Sequence, residues 1–233
     1  LATGNCELRT DAVVSEVLVD DNGHACGVRY YDIDDRLQEQ TADVVVLSAS
    51  ATGTARILLN SASKLFPNGA GNNNDWVGRN IQNHLYVGAV GFMLQEVYQE
   101  AGPGLSVGFS DFNHGNTGLC GGGLLANDFA TMPYGFTHTR PPGARSWGLE
   151  HKEFQRKNYK HMVRVVGPVQ EIPVFDARVT LDPKRKDYWG IPLLCSSGEK
   201  HPHDVEIGQF ISGKAELLLK EVGAEGVFRT CPT

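Results

Sequence analysis

Residues 77–84 read Val77-Gly-Arg-Asn-Ile-Gln-Asn-His84, and upstream of them stands Asp43-Val-Val-Val-Leu-Ser48. The four consecutive apolar residues Val44 to Leu47 predict a strand buried on both faces. It runs into Ala49-Ser-Ala-Thr-Gly-Thr-Ala-Arg56. Ala55, Ile57, Leu58, Leu59 and Ala62 then follow at near-helical spacing, which predicts a helix over 54–62 with Thr52 or Thr54 as N-cap. Small side chains from Ser48 to Ala51 let a ring or ribose approach the backbone, and the helix start offers free N–H groups. A tight strand-to-helix turn explains the same residues. Within 77–84 an Asn can hold a turn, and a lone His is ordinarily a structural residue.

Working outward, residues 6–47 read as three strands. Ala12 to Val19 is valine-rich, Asp20-Asp-Asn-Gly23 is a turn of the Asn-Gly type, and Ala25 to Tyr31 returns. Gln38 to Leu47 is the third, so a small antiparallel meander feeds a parallel sheet. Residues 67–75 form a loop rich in Asn and Gly, the expected first site of proteolysis. From Leu85 the texture changes: 86–98 is apolar and β-leaning, 102–123 is glycine-dense, and 138–145 is a loop around Pro141-Pro142. Residues 204–222 predict a helix closed by Gly223. A second signature comprises Glu171-Ile-Pro173, Arg178-Val-Thr-Leu-Asp-Pro183 and Lys186-Asp-Tyr-Trp-Gly-Ile-Pro192. Asp182-Pro183 starts a turn and Gly190-Ile-Pro192 ends one, so this stretch is a strand–turn–strand.

Hydrophobic residues make up 41% of the 233 and charged residues 21%, the balance of a soluble globular chain long enough to bury a core. A net charge of -6 argues against nucleic acid as a partner, and Lys184-Arg-Lys186 is a solvated turn. Five cysteines without CxxC spacing read as scattered thiols, neither a disulfide framework nor a zinc site. No apolar run approaches the ~20 residues of a membrane span. The chain opens at Leu1-Ala-Thr, without an initiator methionine or a signal-peptide pattern, and is expected to be a piece of a longer reading frame.

Three local strings mimic other chemistry. Gly104-Leu-Ser-Val-Gly108 spells a nucleophile elbow, but that elbow needs a helix directly after it, and Phe109-Ser-Asp-Phe-Asn-His-Gly115 is a poor one. His201-Pro-His203-Asp204 suggests a metal cluster, yet it reads better as a helix start with Asp204 near the N-cap. Gly121-Gly-Gly123 lacks phosphate-loop spacing.

The 43–56 and 77–84 stretches together resemble the middle of a glucose-methanol-choline (GMC) flavoprotein oxidoreductase. That family typically reads VVLAAGA…PRLLL, then VGRNLQDH. Here Ile81 replaces Leu, and Asn83 replaces Asp, exchanging a carboxylate for an amide. The second signature is similar to the family's RVTLDP…KDAWGIP and occurs in family order. The resemblance implies an α+β or α/β protein. Its parts would be a partial Rossmann-like FAD-binding domain with a β-meander (1–84), a β-rich substrate domain (85–200), and a helix (201–233) leading toward a catalytic segment. It implies FAD as cofactor, with Val14 at the adenine, Ala49 and Ser50 in the strand–helix turn, and Asn80 and His84 nearest the cofactor. Members carry a GxGxxG fingerprint upstream and a histidine base downstream, here expected beyond Thr233. His84, His114 and His138 are the alternatives within the chain. The substrate would be an alcohol, sugar or sugar acid and the partner an external electron acceptor, with no nucleic acid and no membrane span. The bacterial members most resembled imply a soluble protein of the cytoplasm or periplasm. A competing reading is a non-catalytic α+β carbohydrate-binding protein that has lost the flavin.

Overall fold

The computed structural model describes residues 2–97, 104–128 and 131–231. It is a mixed α/β structure with several sheets. Its strands in chain order are β1 (Val13–Val19), β2 (Ala25–Tyr31), β3 (Leu37–Thr41), β4 (Leu85–Phe92), β5 (Gly108–Phe109), β6 (Leu125–Asn127), β7 (Met162–Val169), β8 (Arg178–Lys186), β9 (Pro192–Ser197) and β10 (Glu225–Arg229). Its helices are α1 (Ser50–Asn60), α2 (Pro133–Phe136), α3 (Gly148–Asn158) and α4 (Pro202–Glu221). The chain divides into two compact units, 1–81 with 173–199, and 82–172 with 200–233. Residues 173–199, which the sequence division groups with 85–172, thus fold with the N-terminal stretch.

In the first unit β1, β2 and β3 form the antiparallel meander. The Asp20 carboxylate makes the first turn by accepting from the N–H groups of Asn22 and His24, each at 2.9 Å. The open edge of β1 is covered by the end of α1: Asn60 Nδ2 donates to the Ser15 carbonyl at 3.0 Å, and the Val17 N–H donates to Ser61 Oγ at 2.8 Å. Ser61 is buried, and its hydroxyl donates to the Ile57 carbonyl at 2.6 Å. Edge groups that would otherwise be bare are thereby satisfied. Arg56 fixes the other side of α1, donating Nε to the Pro192 carbonyl and pairing with Asp187, each at 2.7 Å.

Two expectations are corrected here. The third strand ends at Thr41, and residues 43–48 run without a ladder, leaving Val44 76% and Val46 80% exposed. A strand buried on both faces needs neighbours to take its N–H and C=O groups, and among the described residues none pairs with it. Helix α1 begins at Ser50, ahead of Thr52 and Thr54, and its N-cap is Ala49, which has no side-chain acceptor. The 67–75 loop is also not loose. Asn72 is buried, donates Nδ2 to the Asn68 carbonyl at 3.0 Å, and accepts from the Val77 N–H at 2.9 Å.

The 77–81 stretch lies along the start of β8. The Gly78 carbonyl accepts from the Val179 N–H at 2.8 Å, and the Ile81 N–H donates to the Ala177 carbonyl at 2.9 Å. Gly78 has φ of +84°, and a Cβ there would stand 2.5 Å from the Val179 carbonyl oxygen. The two sequence signatures are therefore one hydrogen-bonded structure.

The second unit is a five-stranded antiparallel sheet in the order β10-β4-β7-β6-β5. Strands β4 and β7 pair in register from Leu85 opposite Val169 to Phe92 opposite Met162. On one face Ile207, Ile211, Ala215 and Leu219, one stripe of α4, bury against Leu85, Val87 and Ala89. On the other, Val90, Met162 and Phe136 form a smaller core with Phe92, Phe154 and Phe228. The His201-Pro-His203 string is a helix start: His201 is the N-cap and its Nδ1 accepts from the His203 N–H at 3.1 Å. Phe109 is followed by a turn, not a helix, which removes the hydrolase elbow; its preceding Gly102 and Pro103 lie outside the described residues.

Substituting Gly78 by Ala should cost roughly 3 kcal/mol, since backbone strain adds to a clash with β8. At Gly71, with φ of +68°, an added methyl group would meet no atom within 4 Å, so the same change should cost only the ~1 kcal/mol of left-handed strain. Equal losses on chemical denaturation of the two variants would show that the approach of Gly78 to β8 contributes nothing.

Candidate functional site

The first unit carries Val14, Ala49, Ser50 and Asn80. Val14 is half-buried on β1 opposite Tyr30, just before a register irregularity. Ala49 and Ser50 are exposed at the start of α1, and Ser50 adopts φ of +64°. Because Ala49 offers no side-chain oxygen, the first-turn N–H groups of α1 have no side-chain cap. Asn80 is half-buried with φ of +54°, a conformation Asn tolerates better than most residues.

What sets the path of 77–81 is an ion cluster. The Asp75 carboxylate accepts from Arg178 Nη2 at 2.8 Å and Nη1 at 3.1 Å, and also pairs with Arg79 Nη2. Arg79 Nε donates to the Asp75 carbonyl at 2.6 Å, and its guanidinium lies 3.9 Å from the centre of the Phe175 ring. Hydrogen bonds from Arg178 and then Arg79 hold the Asp75 carboxyl down to about 2. Backbone N–H groups of Arg185 and Lys184, then the Arg185 side chain, depress Asp182 as well.

The second unit contains a cleft of about 580 Å³ lined by residues 82–84, 113–114, 123–124 and 168–171. His84 and His114 both face it, and so do the amides of Gln82, Asn83, Asn113 and Gln170. His84 sits edge-on to Tyr86, ring centres 6.0 Å apart. Its rim is set by Glu171, whose carboxylate accepts from the Asn83 N–H at 2.8 Å and pairs with Lys200. Gln82 Nε2 donates to the Glu171 carbonyl at 2.6 Å. One residue on, the Ile172 N–H donates to the buried Asp204 carboxylate at 2.9 Å, so the start of α4 holds this wall. Gln170 and Gly122 exchange hydrogen bonds of 2.9 and 3.1 Å, closing the opposite wall.

The cleft therefore offers two imidazoles, each a donor and an acceptor when neutral, and four amides beside the apolar Leu124, Pro168 and Val169. That set suits a polyhydroxylated or alcohol-bearing small molecule. Among the described residues no group of three or more metal-ligating side chains gathers. His84 is the predicted site residue found here; His114 joins it, and His138 lies elsewhere. Gln82 lies within the 77–84 signature, and nothing in the sequence pattern singles out Asn113, Gln170 or Lys200. Glu171 is visible as the head of the second signature, but only a fold shows it bonded to the first.

Comparison with known proteins agrees with this assembly. Residues 1–86 match the family model described as GMC oxidoreductase. Over 212 residues the chain is 30% identical to 2-methyl-1,2-propanediol dehydrogenase of Mycolicibacterium austroafricanum, covering 88% of this chain and 38% of that protein. It is 30% identical over 222 residues to the gluconate 2-dehydrogenase flavoprotein of Pantoea cypripedii, covering 91% and 36%. Against the fructose dehydrogenase large subunit of Gluconobacter japonicus it is 23% identical over 216 residues, 89% and 37%. All three relatives are dehydrogenases. Through residues 1–86 the chain is thus a stretch of the GMC oxidoreductase family, whose members generally bind FAD. It spans 36 to 38% of the length of these relatives. Among the described residues no helix is long and apolar enough to cross a membrane.

The Asp75 cluster carries a pH signature. A carboxyl whose folded pKa lies below its unfolded value of ~3.9 adds stability in full above that value and loses it as pH falls through the folded pKa. Asp75→Asn should therefore lower stability at neutral pH and flatten its decline between about pH 4 and pH 2. An unchanged acid limb in denaturation curves would remove Asp75 from the residues that govern acid unfolding.

Proposed function

We propose that this chain forms part of an FAD-dependent enzyme that oxidises an alcohol, sugar or sugar acid, passing electrons to an external acceptor. The observation that carries the reading is the family match over 1–86, which includes the VGRN stretch, joined by relatives named as diol, gluconate and fructose dehydrogenases. In this reading residues 1–84, completed by 173–199, are the later part of a Rossmann-like flavin domain, and the rest of 85–200 is the substrate domain. Residues 201–233 lead toward the catalytic segment.

The residues present suit part of a flavin nucleotide. The uncapped start of α1, bordered by the exposed Ala49 and Ser50, is open to a ligand oxygen and has no bulky side chain over it. Val14, Ala49, Ser50 and Asn80 are assigned to the cofactor in the first unit, and His84 in the second. Bound FAD supplies the hydride acceptor. The chain's own part in the reaction is orientation: His84, His114 and the amides around them hold substrate hydroxyls by hydrogen bonds in the second unit's cleft. The group that removes the hydroxyl proton is assigned to a histidine outside residues 1–233.

Expressed as these 233 residues, the protein should bind FAD weakly or not at all and leave an artificial electron acceptor unreduced, since a positioned base contributes ~10²–10⁴-fold. The longest reading frame that contains the chain should copurify with flavin and reduce a dye with a diol, gluconate or fructose. A colourless, inactive long form would sink the oxidoreductase reading and favour a binding module. Dye reduction by the 233-residue chain that is lost in His84→Ala would instead move the base to His84.

A further inference from the structure

A second cleft, of about 710 Å³, lies in the second unit on the sheet face opposite α4. Its floor is a cross-strand row: Arg164 of β7 stands opposite Val90 of β4, which stands opposite Phe228 of β10. Its wall is the loop 138–144, which brings His138 and Arg140 to the same space. Among the described residues no aspartate or glutamate lines it, although the whole chain carries a net charge of -6.

Of the three arginines that line it, Arg229 is paired with Glu216, and Arg140 and Arg164 differ in how far the protein uses them. Arg164 Nη1 pairs with Asp128 at 2.7 Å, and its Nε is buried with no acceptor among the described residues. A buried donor without an acceptor is costly. Arg140 is half-buried and has no acidic partner among the described residues. It directly precedes Pro141 and Pro142, whose rings fix their backbone φ, so the wall that carries it is stiff before a ligand arrives. Arg140, Arg164 and His138 thus line one concave space together with the apolar Val90 and Phe228. Planar guanidinium forks match an oxyanion in charge and geometry.

We propose that this cleft binds the oxyanion of a small molecule, a carboxylate or a phosphoryl group, on Arg140 and Arg164, with the row Val90–Phe228 against the ligand's carbon skeleton. The assignment needs no flavin and is tested apart from the oxidoreductase reading. Titration calorimetry on the 233-residue chain with gluconate, inorganic phosphate and neutral glucitol distinguishes the sources. Saturable binding of gluconate, with glucitol silent, identifies a carboxylate ligand; phosphate binding with gluconate silent identifies a phosphoryl one. Either affinity should fall as salt rises. It should drop about tenfold or more in Arg140→Gln, the size of a charge-assisted hydrogen bond, and recover largely in Arg140→Lys. Because Arg140 sits on a loop without ion-pair partners, its variants should unfold at the wild-type temperature. Binding of neither anion, glucitol binding as tightly as gluconate, or an Arg140→Gln variant with unchanged affinity would overturn the proposal.

Discussion

The Asp75 carboxylate, held between Arg79 and Arg178, is the interaction on which the first unit depends. Each partner belongs to a different sequence signature, one from 77–84 and one from 178–183. Individually, exposed ion pairs contribute little. Here the pair geometry is bidentate from Arg178, and Arg79 is additionally stacked on Phe175 and bonded to a main-chain carbonyl. The cluster aligns Gly78 and Ile81 for their bonds to Val179 and Ala177. Without it, two main-chain hydrogen bonds would have to fix a segment that includes two residues at positive φ, Gly78 and Asn80.

The same logic of one charged group serving several backbones recurs in the second unit. Glu171 holds the Asn83 N–H and Lys200, and Asp204 holds the Ile172 N–H from the first turn of α4. Gln82 and Gln170 spend amide atoms on the Glu171 carbonyl and the Gly122 N–H, so the imidazoles of His84 and His114 and the amides of Asn83 and Asn113 are the lining groups offered to a ligand.

Much of this is legible in the residues. The meander, the Asp20–Gly23 turn, the strand–turn–strand at 178–197 and the helix ending at Gly223 follow from period and turn chemistry, which are local. Val44 to Leu47 marks where local reading stops: apolarity announces what a segment is suited to, whereas burial needs a neighbour, and among the described residues none pairs with it. The start of α1 fails differently. A hydroxyl or carboxylate cap is the usual mark of a helix start, and this helix begins behind an alanine without one. Of the cleft residues outside the signature, His114 is named in the sequence only as one histidine among several, and Asn113 and Gln170 not at all, because they meet His84 only through the fold. Signatures in family order indicate the class, and pairing across the chain sets the geometry.

The division of the chain has a consequence for how the molecule is made. The first unit needs 173–199 to complete it, and the second needs 200–233, which supplies α4 and β10. Emerging from a ribosome, the meander waits for β8 until the whole of 82–172 has been synthesised. The sheet of β4 and β7 in turn waits for the helix that covers its apolar face. Neither unit is finished by any N-terminal stretch of the chain that stops before residue 199. Long loops are cheap to close once, since the entropic cost grows only as the logarithm of length. Contacts this distant in sequence nevertheless slow folding and leave half-made sheets exposed in the meantime. Removing 200–233 should therefore cost the second unit alone, whereas a cut that reaches into 173–199 should fail both at once, where a beads-on-a-string arrangement would lose only the last.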